Sequence, residues 1–134
     1  MGVIAMDKKQ ITLYYSSENS IGKQINAYIQ SSKKKNLAVD VSKTNVTGTQ
    51  WAELADGLNK EIRDLVAQDH PDFLETYGEN QQELDENDWL KILEKEPHLL
   101  KNPIAIDGEN YIELESAASF KKFMEPDSAG LEKS

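Results

Sequence analysis

Apolar residues follow two different periods in the first part of the chain. Residues 11–15 (ITLYY) are β-branched and aromatic, which predicts a buried strand. Ile21, Ile25 and Ile29 then recur at the spacing of one helix face, and Asn19 or Ser20 is predicted to cap the start of that helix. Residues 37–41 alternate in polarity as a second strand would. A strand, a helix and a strand in this order predict a parallel strand pair joined by a right-handed crossover.

The middle of the chain has the spacing of amphipathic helices. Thr49 is predicted to cap a helix that carries Trp51 on its inner face. Asn59 is predicted to cap the next helix, and Pro71 to end it. The tryptophan is expected to be a core residue, because it lies on the apolar face.

Another helix is predicted before the chain returns to strand periodicity. Residues 77–86 are polar and predict an exposed loop. Asp85 or Asn87 can cap the following helix, which turns Trp89 inward and ends at Pro97. The segment 49–100 is therefore expected to be helical.

The last third predicts a hairpin and a final helix. Residues 103–106 and 111–115 are short alternating runs, and the turn between them contains an Asp-Gly pair, a strong hairpin signal. Ser116 can cap the final helix, and residues 125–134 are predicted to be a mobile tail. The inner face of that helix is expected to carry Ala117, Phe120, Phe123 and Met124.

These elements sum to β-α-β, a helical insert, and β-β-α. The order predicts one α/β domain over residues 1–134, with its core in 11–124 and a four-stranded mixed sheet flanked by helices. The fraction of apolar residues, 38%, is that of a globular protein and not of a disordered one. The fold class expected is thioredoxin-like, with helices inserted between its two halves.

Charge and cysteine content exclude several classes of function. The net charge of −9 repels phosphate backbones and anionic membrane surfaces, so we expect no direct nucleic-acid partner. No apolar run approaches the ~20 residues of a membrane span, and a cytoplasmic protein is expected. The chain has no cysteine, which excludes disulfides, thiolate nucleophiles and cysteine-ligated metals.

Three segments of the chain, residues 11–29, 62–66 and 89–108, resemble the glutaredoxin-related arsenate reductase family, which includes the transcriptional regulator Spx. Residues 11–29 (ITLYYSSENSIGKQINAYI) resemble the opening strand, active-site loop and first helix of that family. Residues 62–66 (IRDLV) resemble a helical motif that contains an arginine. Residues 89–108 (WLKILEKEPHLLKNPIAIDG) resemble the helix, proline and basic-Pro-Ile sequence that lead into the third strand.

The resemblance also shows what this chain lacks. It places the catalytic cysteine of the reductases at Asn19, whose amide cannot act as a thiolate. Of the three arginines that hold the oxyanion in the family, only Arg63 has a counterpart, and Asn102 takes the place of the second. Glu18 adds a negative charge beside the old anion site. The resemblance further implies a cis bond between Asn102 and Pro103, whereas the sequence alone favours a trans proline at the start of an edge strand.

No catalytic residue, cofactor or metal site is predicted. The serines of the loop have no histidine nearby to serve as a base, so turn and capping roles explain them better. His70 and His98 lie far apart in the sequence, without a ligand-spaced motif between them. The candidate contact surface for an anion or a partner consists of the degenerate loop, Ser16, Ser17, Glu18, Asn19, Ser20 and Lys23, with Arg63, Asn102 and Pro103.

Two functions from different classes follow from the resemblance. The first is a redox-inactive binding or regulatory module with a protein partner, by analogy with Spx, an adaptor that binds RNA polymerase. The alternative is a protein that binds glutathione or a small oxyanion, or a reductase-like enzyme that works without cysteine. This alternative predicts a positively charged pocket around Lys23 and Arg63.

Overall fold

The sheet of this protein has four strands in the order β2-β1-β3-β4. The structure, a computed structural model, describes residues 10–32, 35–116 and 118–120. The strands are β1 Ile11–Tyr15, β2 Asn36–Asp40, β3 Ile104–Asp107 and β4 Asn110–Glu113. The α-helices are α1 Ser20–Ser31, α2 Gly48–Gly57, α3 Pro71–Tyr77 and α4 Glu86–Lys95, and short 3-10 helices cover Ile62–Leu65, Gln81–Glu83 and Pro97–Leu99.

Strand directions confirm the predicted topology. β1 pairs with β2 in parallel, and α1 forms the connection between them. β3 pairs with both β1 and β4 in antiparallel register. The hairpin turn between Asp107 and Asn110 places Gly108 at a φ of 65°, in the left-handed region that favours glycine. The sheet is therefore mixed, as expected.

The predicted caps of the central helices are shifted. Thr47, and not Thr49, caps α2, because its side chain accepts from the amide of Gln50 while Gln50 reaches back to the Thr47 amide. Asn59 does not cap a following helix. It adopts a φ of 59° and ends α2, and the amide of Lys60 bonds back to the carbonyl of Ala55 at 2.9 Å.

Proline 71 begins a helix instead of ending one. Pro71 is the first residue of α3, where its missing N–H costs no hydrogen bond and its fixed φ suits the helix. The expected polar loop before α4 contains a short 3-10 helix. Asp85 caps α4 in a capping box with Asp88, as one of the two predicted residues.

Two apolar clusters cover the faces of the sheet. Alternate side chains of β1 go to opposite faces, so Leu13 packs with α1 while Tyr14 packs with the helical insert. Trp51 and Trp89 are buried in the cluster of the insert, which confirms their predicted core positions. Phe73 stacks on Trp89 with ring centroids 5.5 Å apart and an interplanar angle of 10°.

The other expectations for the chain ends and for Pro103 have different outcomes. All peptide bonds in the described residues are trans, including that between Asn102 and Pro103, so the cis bond implied by the resemblance is wrong. The hydroxyl of Ser116 accepts from the amide of Ser119 at 3.1 Å, as its predicted capping role requires, and residues 118–120 are helical. The predicted positions of Ala117, Phe123, Met124 and the tail 125–134 lie outside the described residues. Among the helices of the described segments, none has the length and apolar content to cross a membrane.

Candidate functional site

The predicted loop lies at the edge of the sheet where β1 and β2 end. The amide of Val41 donates to the carbonyl of Tyr15 at 2.7 Å, which continues the parallel pairing one step beyond β2. On the other side of β1, Tyr14 pairs with Ile104, the first residue of β3. Pro103 therefore enters the sheet at this same edge, beside the start of the loop.

The loop folds tightly onto the first turn of α1. Ser16 is 2% exposed, and its hydroxyl accepts from the amide of Glu18 at 3.2 Å. Its carbonyl accepts from the amide of Asn19 at 3.1 Å. A Cβ atom at Gly22 would lie 2.6 Å from that carbonyl oxygen, so only glycine allows this approach. The hydroxyl of Ser16 is thus a structural group, as its predicted turn role requires.

Asn19 caps the start of α1. Its side-chain oxygen accepts from the amide of Gly22 at 3.0 Å, and its carbonyl accepts from the amide of Lys23 at 3.0 Å. This confirms Asn19 as one of the two predicted caps. A neutral amide therefore occupies the position that the resemblance aligns with a catalytic thiolate. The side chains of Glu18, Ser20 and Lys23 are exposed around it.

A hydrogen-bond network joins the loop to the end of β2. One carboxylate oxygen of Asp40 accepts from the Ser17 amide at 3.1 Å, the Ser42 amide at 3.0 Å and the Ser42 hydroxyl at 2.6 Å. The hydroxyls of Ser17 and Ser42 are 3.1 Å apart. Since Ser42 uses its only proton on Asp40, Ser17 must be the donor between them.

This network fixes the charge of Asp40. Partial burial alone would raise the pKa of Asp40. The hydrogen bonds from Ser17 and Ser42 together outweigh this effect and hold the pKa below its ordinary value. Asp40 is therefore a carboxylate at neutral pH. It was not among the predicted site residues, although the parallel strand pair indicated that the end of β2 would lie beside the loop. Together with Glu18 it makes this edge of the sheet unfavourable for an oxyanion.

Asn102 is engaged in a separate polar cluster. Its side-chain amide donates to one carboxylate oxygen of Glu113 at 3.0 Å, and the other oxygen is paired with the ammonium of Lys60. The hydrogen bond with Glu113 raises the pKa of Lys60, which keeps its ammonium charged at neutral pH. Pro103 is buried, and its carbonyl accepts from the amide of Leu114 at 2.8 Å. These contacts tie the residues before β3 to the far side of the hairpin.

Arg63 lies in a cleft of about 230 Å³ between α2, the 3-10 helix Ile62–Leu65 and α4. Its Nε atom is 3.8 Å from a carboxylate oxygen of Glu61, a loose pair because both side chains are more than half exposed. The residues that line the cleft do not include Ser16 to Lys23. The cations of the lining are Lys60 and Arg63, and its carboxylates are Asp56, Glu61 and Glu86.

The fold brings two distant histidines together. The rings of His70 and His98 meet edge to face with centroids 5.6 Å apart, and Nε2 of His98 is 2.9 Å from a carboxylate oxygen of Asp72. One potential ligand atom from each of the three residues lies within 4.8 Å of the others. The argument from sequence separation therefore does not hold in the folded chain. The pattern His-Pro-Asp at 70–72 was the available signal in the sequence. The third member of the cluster, His98, could be placed beside it only by the tertiary structure.

Comparison with known proteins supports the fold. No family model matches the chain, and no curated protein matches it. An arsenate reductase from Vibrio cholerae superposes with a TM-score of 0.72 at 14% identity, over 89% of this chain and 98% of that one. An arsenate reductase-related protein from Brucella melitensis superposes with a TM-score of 0.66 at 10% identity, over 90% of this chain and 98% of that one.

Identities this low establish the fold alone. The mixed sheet β2-β1-β3-β4 and its flanking helices agree with these structures over nearly their whole length. The predicted fold class is confirmed. The chain has the thioredoxin-like fold of the arsenate reductase structures, and it has this fold without any cysteine.

Proposed function

We propose that this chain is a redox-inactive binding or adaptor protein. The observation that carries the proposal is Asn19 at the start of α1, where its side chain caps the helix and no thiol is present in the chain. Reduction of arsenate or of a disulfide by this fold needs a thiolate that attacks and a thiol that resolves. A capping amide supplies neither, so the chain contributes a surface and not a redox turnover.

The surface proposed for the partner is the loop Ser16 to Lys23 at the edge of the sheet. Its inner polar groups are satisfied by Ser16, Asn19 and Asp40, which leaves Glu18, Ser20 and Lys23 as the exposed side chains. An exposed surface of this kind suits a protein partner better than a small molecule, because a small-molecule site encloses most of its ligand. The net charge of −9 favours association with a basic surface on that partner.

Binding of glutathione or a small oxyanion is the competing function. It requires cations that converge on the anion. The only arginine of the chain lies in a cleft with one other cation and three carboxylates, and the loop carries Glu18 next to Ser17, whose amide binds the ionised Asp40. Both places are therefore electrostatically poor for an anion, which supports the binding protein over the oxyanion site.

The two functions are separated by a titration of the full chain with arsenate, phosphate and glutathione, followed by amide NMR. We expect no saturable shift for the amides of residues 16–23. Saturable shifts confined to that loop would overturn the proposal in favour of a small-ligand site. The variant Asn19→Cys tests a separate point, because it shows whether a thiol at this position is enough for arsenate reduction.

The partner surface is tested by charge reversal within the same fold. A partner captured from the source cell by the native chain should be lost by Glu18→Lys. The control Glu79→Lys changes the same charge in the exposed turn after α3 and should retain the partner. Equal capture of the partner by both variants would show that the loop is not part of the interface.

A further inference from the structure

We propose that His70, Asp72 and His98 form a surface site for one divalent transition-metal ion, with zinc as the ion that fits best. This site is independent of the proposed partner surface. The structure shows two imidazoles and one carboxylate whose ligand atoms lie within 4.8 Å of one another. Two histidines and a carboxylate are a ligand set that zinc and its neighbours favour, whereas magnesium and calcium prefer oxygen ligands alone.

The backbone holds the two histidines in place from both sides. His70 precedes Pro71, the first residue of α3. His98 follows Pro97, the first residue of the 3-10 helix Pro97–Leu99. The two segments are joined by the hydrogen bond from the Ala67 amide to the Leu99 carbonyl at 2.8 Å. The scaffold is thus formed before any ion binds, so an ion would find its ligands already assembled.

An isolated β-bridge and core packing keep this scaffold from opening. Val66 and Leu100 form a β-bridge beside the Ala67 hydrogen bond, and the Lys101 amide donates to the Leu65 carbonyl at 2.7 Å. Phe73, in the first turn of α3, is fully buried against Trp89. The ligands therefore lie on elements that are anchored to the core and not on a free loop.

The ligand atoms are also accessible to an incoming ion. Both histidines are partly exposed, and the side chain of Asp72 is 53% exposed. The net charge of the chain is −9, which raises the local concentration of cations at its surface. Three protein ligands leave the fourth position of a tetrahedral ion to water.

Metal binding must replace two hydrogen bonds of the free protein. Nε2 of His98 contacts Asp72 at 2.9 Å, and Nδ1 of His70 accepts from the Asp72 amide at 3.0 Å. Where Nε2 of His98 carries the proton shared with Asp72, that proton moves to Nδ1 of His98 or is released to water when the ion binds. His70 either binds through Nδ1 or moves its proton to Nδ1 and binds through Nε2, and both routes release the Asp72 amide. The Asp72 amide resonance is therefore a specific reporter of the ion.

The test is a titration of the full chain, freed of metal with a chelator, with zinc chloride and with cobalt chloride. We expect one ion per chain by calorimetry, saturation well below millimolar ion, and shifts of both histidine rings and of the Asp72 amide. Excess magnesium or calcium should not compete. Absence of saturable binding would overturn the proposal.

Variants identify the ligands. His70→Asn keeps a capping oxygen for α3 while it removes the imidazole, so it is expected to fold. His70→Asn, His98→Ala and Asp72→Asn should each weaken zinc binding by roughly tenfold or more, since even changes outside the ligand set cost about that much. Glu83→Gln, in the exposed 3-10 helix before α4, should leave the affinity unchanged. Native affinity in both histidine variants, with native circular dichroism, would refute the site.

Discussion

Replacement of Asp40 tests whether its carboxylate organises the loop after β1. One oxygen of Asp40 accepts three hydrogen bonds, from the Ser17 amide at 3.1 Å and from the Ser42 amide and hydroxyl at 3.0 and 2.6 Å. A hydrogen bond to a charged group contributes about 1.5–3 kcal/mol when it is buried. Asp40 is only partly buried, so water replaces much of each bond, and we discount the three together to about 2 kcal/mol for Asp40→Ala.

The isosteric variant separates the charge from the shape. Asp40→Asn keeps an acceptor oxygen, and its free energy of unfolding at pH 7 should fall by only about 1 kcal/mol. The pKa of Asp40 is lowered in the folded chain by its hydrogen bonds from Ser17 and Ser42, against the opposing effect of burial. Its contribution is therefore present above the unfolded pKa of about 3.9 and is lost as pH falls through the lower folded pKa.

The assay is urea unfolding followed by tryptophan fluorescence and far-UV circular dichroism, at pH 7 and again at pH 3. The destabilisation caused by Asp40→Asn should shrink at the lower pH, because pH 3 lies below the unfolded pKa, where the unfolded chain takes up a proton at Asp40 more readily than the folded chain does. Glu79→Gln, an exposed carboxylate in the turn after α3, is the control and should cost little at either pH. An Asp40→Asn cost that is equal at both pH values would refute the charge-based account.

Substitutions at four further positions probe the start of α1, the start of α2 and the core of the insert. Asn19→Ala removes the cap of α1 and should lower the unfolding free energy by about 1 kcal/mol, whereas Asn19→Asp should retain most of it in urea titrations. Gly22→Ala should destabilise by roughly 1–3 kcal/mol, because its methyl group would meet a loop carbonyl 2.6 Å away. Gly48→Ala is the milder case. Its methyl group would lie 3.3 Å from the side chain of Glu94, whose carboxylate accepts from the Gly48 amide at 2.7 Å and can shift by a few tenths of an ångström, so a smaller loss of thermal midpoint than for Gly22→Ala is expected; an equal loss would contradict the packing argument. Phe73→Ala should cost about 3–5 kcal/mol and alter the fluorescence of Trp89, on which it stacks; a cost below about 1 kcal/mol would show that this contact is not part of the core.

Local signals in the sequence were sufficient for the elements that flank the loop. Asn19 was predicted as a cap because an amide oxygen followed by a helix-period run satisfies the free amides of the first turn. The central helices were displaced by a few residues for a related reason. Thr47 and Thr49 are both competent caps, and only Thr47 also has Gln50 in the position that completes the capping box. Pro71 was misread because proline both ends helices and begins them.

Long-range positions could not be read from the same signals. The sequence did not indicate that Arg63 lines a cleft between α2 and α4. The direction in which the insert packs is decided by the burial of its apolar faces against the sheet, with Trp51 and Phe73 at the centre. That packing is collective, so no single residue of the insert predicts it.

The sequence by itself determined the alternation of strands and helices, the absence of thiol chemistry in this chain and the amide cap at Asn19. These properties depend on composition or on contacts within a few residues along the backbone. Only the tertiary structure decided that Asp40 supports the loop and that His70, Asp72 and His98 share one place. The physical reason is that such contacts join segments separated by strands and helices, and their distances follow from how the whole core packs.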